Sequence, residues 1–411
     1  MNVLPSLASE PWLHSPGVCA IFDLLDQDGE VGRVVGGAVR NCLMGQPVGE
    51  IDFATTLVPD RLIELAEANG VRAVPTGVEH GTVTLVVDGQ GFEVTTLRED
   101  VDTDGRHAVV RFGRDWEADA RRRDFTINAM SVDAGGVVRD PIGGLADLVE
   151  CRVRFIGDPD RRIKEDYLRI LRFFRFHAAY GWGPIDKSGL AAATRHRDGL
   201  RTLSAERLNH EIGRLLLASG AGGTVRDMED AGLLLIVLGG ISRARRLDTA
   251  IAIERDANIE PSYPRRLAAL SVEIVEDAER VAERLRLSRA DALVLESGAS
   301  MSERWQEPPE VEEAKEALYR AGWRRFVDCL VHAAARSHGD HSDWSNLLLS
   351  LESWEPGQFS LTGKDVLAAG IGHGPEVGTV LAKLENWWIS EHFGPDRAAL
   401  LIRLRQMAGG E

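Results

Sequence analysis

Hydrophobic periodicity changes partway along this chain, and that change limits its fold more than any other feature. Between residues 31 and 140, short apolar runs are punctuated by glycine-rich turns; from about 145 onward apolar residues recur at helical spacing. Val31 to Val35 ends in Gly36-Gly37, Ala38 to Met44 has helical character, and Ile51 to Thr55 reads as a strand. Pro59 to Asn69 is predicted to be a helix, with proline in its first turn and Gly70 just past its end. Thr82 to Val87 and Phe92 to Leu97 flank Asp88-Gly89-Gln90-Gly91, a hairpin signal. Ala129 to Asp133 and Val137 to Asp140 predict a second hairpin, turning at Gly135-Gly136. The clearest predicted helices are 161–180, 205–219 and 273–287, with 303–313 (containing Pro308-Pro309) and 354–359 as breaks. A mixed sheet first and helices after is the order of an α+β chain, a catalytic head followed by a helical body.

Charge follows the same division. The 411 residues carry a net −16, which taken alone argues against a nucleic-acid partner. The stretch from Arg106 to Arg214, however, holds 19 Arg and 2 Lys against 16 acids, a net of +5, so the remainder carries −21. Only five of the 48 basic residues are lysine, and arginine's planar fork suits phosphates and base edges. Apolar residues make up 44% of the chain, enough for real cores and too many for a disordered or collagen-like chain. No apolar run reaches the length of a membrane span, and MNVLPSLASEPW lacks the pattern of a secretory signal. Cys19, Cys42, Cys151 and Cys329 are scattered, against a disulfide scaffold or a cysteine zinc site and in keeping with a reducing cytoplasm.

Three constellations carry chemistry. In the first, Gly36-Gly37 between strand and helix lets backbone N–H groups approach phosphates, with Arg40 as a charged clamp. Glu50 and Asp52 alternate about Ile51, so on a strand they share one face, as a pair of Mg²⁺ ions requires; Glu93 could join from a neighbouring strand. A plain turn with surface acids would look the same. In the second, Arg122-Arg123-Asp124-Phe125-Thr126-Ile127-Asn128 sets Arg123 to reach a phosphate, Asp124 a ribose hydroxyl, and Asn128 to orient either; a salt-bridged start of an element is the other reading. In the third, Asp166, Arg169, Arg172 and Arg175 recur every three residues, one polar stripe of a helix whose packed side is Leu168, Leu171 and Phe174. A carboxylate beside a guanidinium offers the acceptor and donor edges that read a base. A solvated salt-bridge ladder is the alternative.

Together the motifs resemble those of class II tRNA nucleotidyltransferases, the CCA-adding enzymes, and their relatives the bacterial poly(A) polymerases. GGAVRN, EID followed by FATT, RRDFTINA and EDYLRILR occur in the family order, DPIGGL with Asp147-Leu148 resembles its head-to-neck junction, and SAERL its last neck motif. The good match covers about 31 to 215; farther on, only Thr362-Gly363-Lys364-Asp365 and Gly374-Pro375 are similar. The resemblance implies a polymerase-β-like head over 1–144, a neck over 145–215 that reads the base, a helical body over 216–330 and a tRNA-binding tail over 331–411. It implies that Gly36, Gly37 and Arg40 bind the triphosphate and that Glu50 and Asp52 hold two Mg²⁺, with Glu93 beside them. Arg123 and Asp124 would contact the nucleotide, Asp166 and Arg169 would read CTP or ATP, and Arg172 and Arg175 would complete the site. The partner would be tRNA, held at its 3′ acceptor end and elbow. Two departures stand out: Glu50 and Asn41 occupy positions where the family has Asp.

Within the family, the polar stretch Glu99–Asp119 is expected to be the flexible loop that permits A as well as C addition. The acidic 215–411 region disfavours the poly(A) polymerase alternative, which uses a basic tail. A catalytically impaired RNA-binding homologue is the third reading, resting on Glu50. No HD-type phosphohydrolase domain is expected, since its His-Asp dipeptide is missing; His332, His338 and His341 read as mobile residues around a polar loop, and Trp387-Trp388 as core.

Overall fold

The computed structural model describes residues 4–103, 108–302, 304–355, 357–372 and 374–408. They form two compact units, one of 1–244 with 280–287, the other of 245–279 with 288–411. These two units are coarser than the four-part division expected from sequence. Head, neck and residues 216–244 cohere as one unit, and the expected boundary at 330 falls inside the helix Trp323–Arg336. Among the described residues no helix is long and apolar enough to cross a membrane.

The first unit is built on a seven-stranded mixed sheet in the order β3-β4-β5-β2-β1-β8-β9. Its strands are β1 (Gly32–Val35), β2 (Asp52–Thr55), β3 (Arg72–Gly77), β4 (Thr82–Val87), β5 (Gln90–Thr96), β8 (Ser131–Val132) and β9 (Val138–Arg139). The β4–β5 turn places Asp88 at φ 49° and Gly89 at φ 82°, the left-handed pair that a two-residue hairpin demands. β2 runs parallel to β5 with Phe53 opposite Val94, and antiparallel to β1 with Asp52 opposite Val35. Strand alternation divides the sheet's faces. On one, Phe53 meets Phe22 of α1 (Pro16–Leu25) edge-on at 5.1 Å and Phe92 at 6.1 Å, and α3 (Pro59–Ala68) buries Leu62 and Ala66. On the other, Val35, Ala54 and Leu97 make a small cluster with Trp116, over whose ring Arg33 stacks at 4.0 Å. Asp52 and Glu93, one residue from Phe53 and Val94, therefore share this second, less covered face.

Two expectations are corrected here. The stretch 99–119 is not a loop: β6 (Arg98–Thr103) and β7 (Ala108–Phe112) pair antiparallel as a separate hairpin, followed by α4 (Trp116–Arg122). Gly113 N–H bonds Leu97 O at 2.9 Å at its base, closing the hairpin ladder on the backbone beside it. The tip, 104–107, lies outside the described residues. Nor is 161–180 one helix. α6 (Pro159–Glu165) ends before Asp166, whose backbone is extended (φ −156°, ψ 111°), and α7 (Leu168–Tyr180) starts afresh with Asp166 Oδ1 accepting the Leu168 N–H at 3.0 Å.

Head and neck are welded by aromatic packing. Phe125 lies 5.0 Å from both Phe155 and Phe176, and Phe155 stacks on Phe173 at 5.2 Å. Beside them α5 (Gly144–Val149) carries the buried Asp147, which accepts from Thr126 Oγ1 (2.6 Å), Arg152 Nε (2.8 Å) and Arg154 Nε (2.9 Å). Burial would raise this carboxyl, but those three donors overcome it and hold it below the usual range. The remaining neck helices used below are α8 (Lys187–Arg195) and α9 (Ala205–Leu216).

The second unit is helical. Trp305, Phe326 and Trp344 are buried in its core, so the expected linker 303–313 is partly core, Trp305 Nε1 donating to Glu313 at 3.0 Å (residue 303 lies outside the described residues). Trp388 is buried in a separate cluster with Leu384, Ile389 and Leu400, and Trp387 packs against it, as expected. Thr362 and Asp365 form a capping box, which gives the TGKD motif a structural content. His332 is not in a polar loop. It is fully buried on helix Trp323–Arg336 with Nε2 3.2 Å from Val272 O, and His341 lies 3.2 Å from Asp256. Burial first, then the charges of Arg336 and Arg246, push the His332 imidazole from 6.5 down to about 4. A histidine so depressed contributes stability fully above pH 6.5 and loses it as pH falls toward 4. The loss is expected to reach about 3 kcal/mol by the acid end of that window. Denaturant unfolding at pH 7 and pH 4.5 checks it: His332→Asn is expected to flatten the dependence, and an unchanged slope would clear His332 of the effect.

Candidate functional site

The site begins where β1 ends. Gly36 takes φ +71° and ψ −119°, a conformation open to glycine and strained for any L side chain, and α2 (Gly37–Leu43) starts from it. A Cβ here would stand an ordinary 3.5 Å from Arg123 Nη1, so it is conformation and not space that calls for glycine. Across β1, Asp52 opens β2. Burial first, then the negative charges of Glu93 and Glu50, push its carboxyl upward, with Arg123 opposing. Glu50 itself precedes the strand in irregular, exposed backbone, so it does not alternate with Asp52 along a strand as the spacing suggested. It is near enough for its charge to bear on Asp52. Glu93 is exposed on β5, beside Asp52 when the Phe53–Val94 register is continued by one residue.

Arg40 is buried at the edge of the site. Its guanidinium donates to Asn128 Oδ1 (2.5 Å), Asn41 Oδ1 (2.8 Å from Nη2) and Tyr180 OH (2.7 Å), and it lies 3.9 Å from the Tyr180 ring centre. Asn41 thus serves as a neutral acceptor for a buried cation. The RRD segment is held from behind. Buried Asp119 takes Arg122 Nε at 2.8 Å and Arg123 Nη2 at 3.2 Å, and Arg162 Nη2 donates to Arg123 O at 2.6 Å. Asp124 accepts from Asn128 Nδ2 (3.1 Å), the Phe125 N–H (2.9 Å) and Arg172 Nε and Nη2 (2.8 and 2.5 Å). Burial alone would raise its carboxyl; Arg172 and these donors prevail and hold it below its ordinary value.

The neck supplies the facing wall, and the charges at 165, 166, 169, 172 and 175 are each paired. Glu165 binds Arg162 and accepts from Arg169 Nη1 at 2.5 Å. Asp166 accepts from Arg207 of α9 at 2.7 Å, and Glu211 of the same helix accepts from Arg175 at 2.5 Å. The stripe is therefore neither free nor merely a solvated ladder: Glu165, four residues away, fixes Arg169, and acids from distant segments fix Arg172 and Arg175. Between these head and neck segments lies a cleft of about 470 Å³, within the usual size for a small-molecule site. Gly36, Gly37, Arg40, Asp52, Arg123, Asp124, Asp166, Arg169, Arg172 and Arg175 line it; Glu50 and Glu93 are not among its lining. Phe176, Tyr180 and Arg214 also line it and were not singled out from sequence, although the arginine excess that ends at Arg214 was a hint. Such a cleft, with one unbonded carboxylate and many guanidinium groups, suits a polyphosphate.

A metal would depend on the carboxylates. Among the described residues, no three His, Cys, Asp or Glu converge closely enough to hold an ion. Oxygen donors at Asp52, with like charges crowding it, nonetheless fit the chemistry of Mg²⁺, which commonly takes one or two carboxylates and keeps several waters.

A family model described as the poly A polymerase head domain matches residues 32–154, and one described as the probable RNA and SrmB-binding site of polymerase A matches 184–244. The chain is 30% identical over 405 residues to CCA tRNA nucleotidyltransferase 1, mitochondrial, of Mus musculus, covering 96% of this chain and 91% of that protein. It is 28% identical to the CCA-adding enzyme of Levilactobacillus brevis, covering 93% and 95%. Among solved structures, Bacillus stearothermophilus CCA-adding enzyme in complex with CTP aligns with a TM-score of 0.71 at 26% identity, over 94% of this chain and 96% of that one. Thermotoga maritima CCA-adding enzyme complexed with tRNA_CCA aligns over 100% of both chains with a TM-score of 0.73, a likeness of fold at 20% identity.

Proposed function

The chain belongs to the family of class II CCA-adding enzymes and poly(A) polymerase heads, and from that premise we propose how its cleft works. The enzyme adds C, C and A to the 3′ end of tRNA without a nucleic-acid template, drawing on CTP and ATP and releasing pyrophosphate. The observation that carries this reading is the meeting in one cleft of the Gly36 turn, Asp52 and Arg123 from the head with Asp166, Arg169 and Arg172 from the neck.

In this reading the triphosphate lies along the Gly36-Gly37 turn and Arg123, whose other edge is braced by Asp119. Arg40 supports the turn from within and contributes its charge. Asp124 orients the ribose from a position fixed by Arg172 and Asn128. Asp166 and Arg169 present acceptor and donor edges to the base. Arg207 and Glu165 each engage one side of that pair, and the carboxylate retains unused lone pairs. Arg172 and Arg175 complete the wall. Asp52, with Glu50 and Glu93 beside it, would hold Mg²⁺. Such an ion, when bound, activates the RNA 3′-hydroxyl and neutralises charge at the α-phosphate. The acidic remainder of the chain favours a partner recognised by shape, tRNA gripped at acceptor end and elbow, over indiscriminate RNA adhesion. Among the described residues the four cysteines form no disulfide, which accords with a reducing compartment such as the cytoplasm.

Incubation with tRNA lacking its CCA end, with CTP and ATP singly and together, tests the reading. Ordered addition of C, C and A is expected. Unlimited A addition to any RNA would replace it with poly(A) synthesis, and tRNA binding with no incorporation would replace it with the impaired homologue. Glu50→Asp shortens the side chain by one methylene and is expected to shift the Mg²⁺ concentration that gives half-maximal rate. An indifferent variant would remove Glu50 from the metal's neighbourhood.

A further inference from the structure

Helices α7 and α9 face one another through a ladder of charge. Arg207 pairs with Asp166; one turn farther, Glu211 pairs with Arg175 and lies 3.8 Å from Arg172. Steps of four and three residues keep Arg207, Glu211 and Arg214 on one face of α9. The turn of α7 beyond Arg175 is Ala178-Ala179, which offers no carboxylate. Arg214 is exposed and lines the cleft, and among the described residues no hydrogen bond or ion pair holds its guanidinium. The other cleft arginines are engaged: Arg123 by Asp119, Arg169 by Glu165, Arg172 by Asp124, Arg175 by Glu211, and Arg40 by Asn41, Asn128 and Tyr180. A cation kept beside other cations without a counter-ion is unfavourable until an anion arrives, and a guanidinium fork takes two oxygens of a phosphate at once.

We propose that Arg214 binds a phosphate group of a substrate in this cleft. The inference rests on the nucleotidyl-transfer reading, which supplies two sources of that chemistry: the polyphosphate of the incoming nucleotide and the terminal phosphodiester of the RNA. Steady-state kinetics of Arg214→Gln and Arg214→Lys, with CTP varied and then tRNA varied, decide between them. Arg214→Gln is expected to raise one KM about tenfold with melting temperature unchanged. Arg214→Lys should recover part of it, keeping the charge and losing the fork. If the nucleotide is the ligand, the KM for CTP rises and inhibition by inorganic triphosphate weakens with it. If the RNA is, the KM for tRNA rises and the salt dependence of tRNA binding loses about one unit of slope. Both KM values within about twofold of wild type would overturn the proposal. Wild-type protein that incorporates nothing would instead overturn the transfer reading; equilibrium binding of inorganic triphosphate and of tRNA to wild type and Arg214→Gln would then decide Arg214 alone.

Discussion

Asp52→Asn is expected to lower CMP and AMP incorporation by about a thousandfold without lowering the melting temperature. Asp52 is half-buried at the start of β2, and among the described residues no hydrogen bond ties its carboxylate to the protein. Its electrostatic neighbours Glu93 and Glu50 share its sign, and only Arg123 opposes them. Burial and like charge both make the ionised group unfavourable where it stands. A charged side chain kept in such a place with no structural bond is a candidate for chemistry. Asparagine keeps the shape and removes the charge, so repulsion with Glu93 and Glu50 falls and the fold is unharmed or slightly steadier. Initial rates with saturating CTP, together with thermal unfolding, check both halves. A variant within tenfold of the wild-type rate, or one melting several degrees lower, would make Asp52 a structural carboxylate.

What could be read from sequence follows the range of the interactions involved. β4 and β5 were legible because Asp88-Gly89 fixes their turn locally, and α3 because proline and glycine punctuate it. β3 was not: Arg72–Gly77 is partly exposed, contains Pro75 and lies at the sheet's edge, where alternation is weak. β6 and β7 read as loop because Arg98–Thr103 is rich in charge and Gly105 and Gly113 interrupt the stretch, whereas their pairing is made by backbone groups. The periodicity of 161–180 runs straight through Asp166, yet the break there places this carboxylate against Arg207, forty-one residues away. The site shows the same limit. Residue types at Gly36, Asp52, Asp124 and Asp166 pointed to one cleft, and the fold brings them together. The identity of each arginine's partner depends on helix packing over long separations, as with Arg172 and Asp124, forty-eight residues apart. For that reason the sequence shows Arg40 as a charged clamp but not its internal partners Asn41, Asn128 and Tyr180, and does not place Arg214 in the cleft.

The junction between head and neck should be the least forgiving part of the site's framework. Gly144→Ala is expected to destabilise the first unit by about 3 kcal/mol or more. A Cβ on Gly144 would lie 2.1 Å from Thr126 O and 2.8 Å from Thr126 C, and both are backbone atoms with no rotamer to yield. Thr126 is pinned on its other sides by its hydroxyl on Asp147 and its N–H on Arg154 O. Relief must therefore shift the backbone that carries Asp124 and Asn128, two residues to either side. The KM for CTP is expected to rise with the loss of stability. Gly143→Ala separates steric clash from backbone strain: its φ is +79° but a Cβ there meets nothing within 4 Å. Left-handed strain alone should cost about 1–2 kcal/mol and leave the KM for CTP near wild type. Denaturant unfolding of the two variants side by side checks the difference. Equal losses would mean that conformation, not the close approach of α5 to Thr126, requires glycine at this junction.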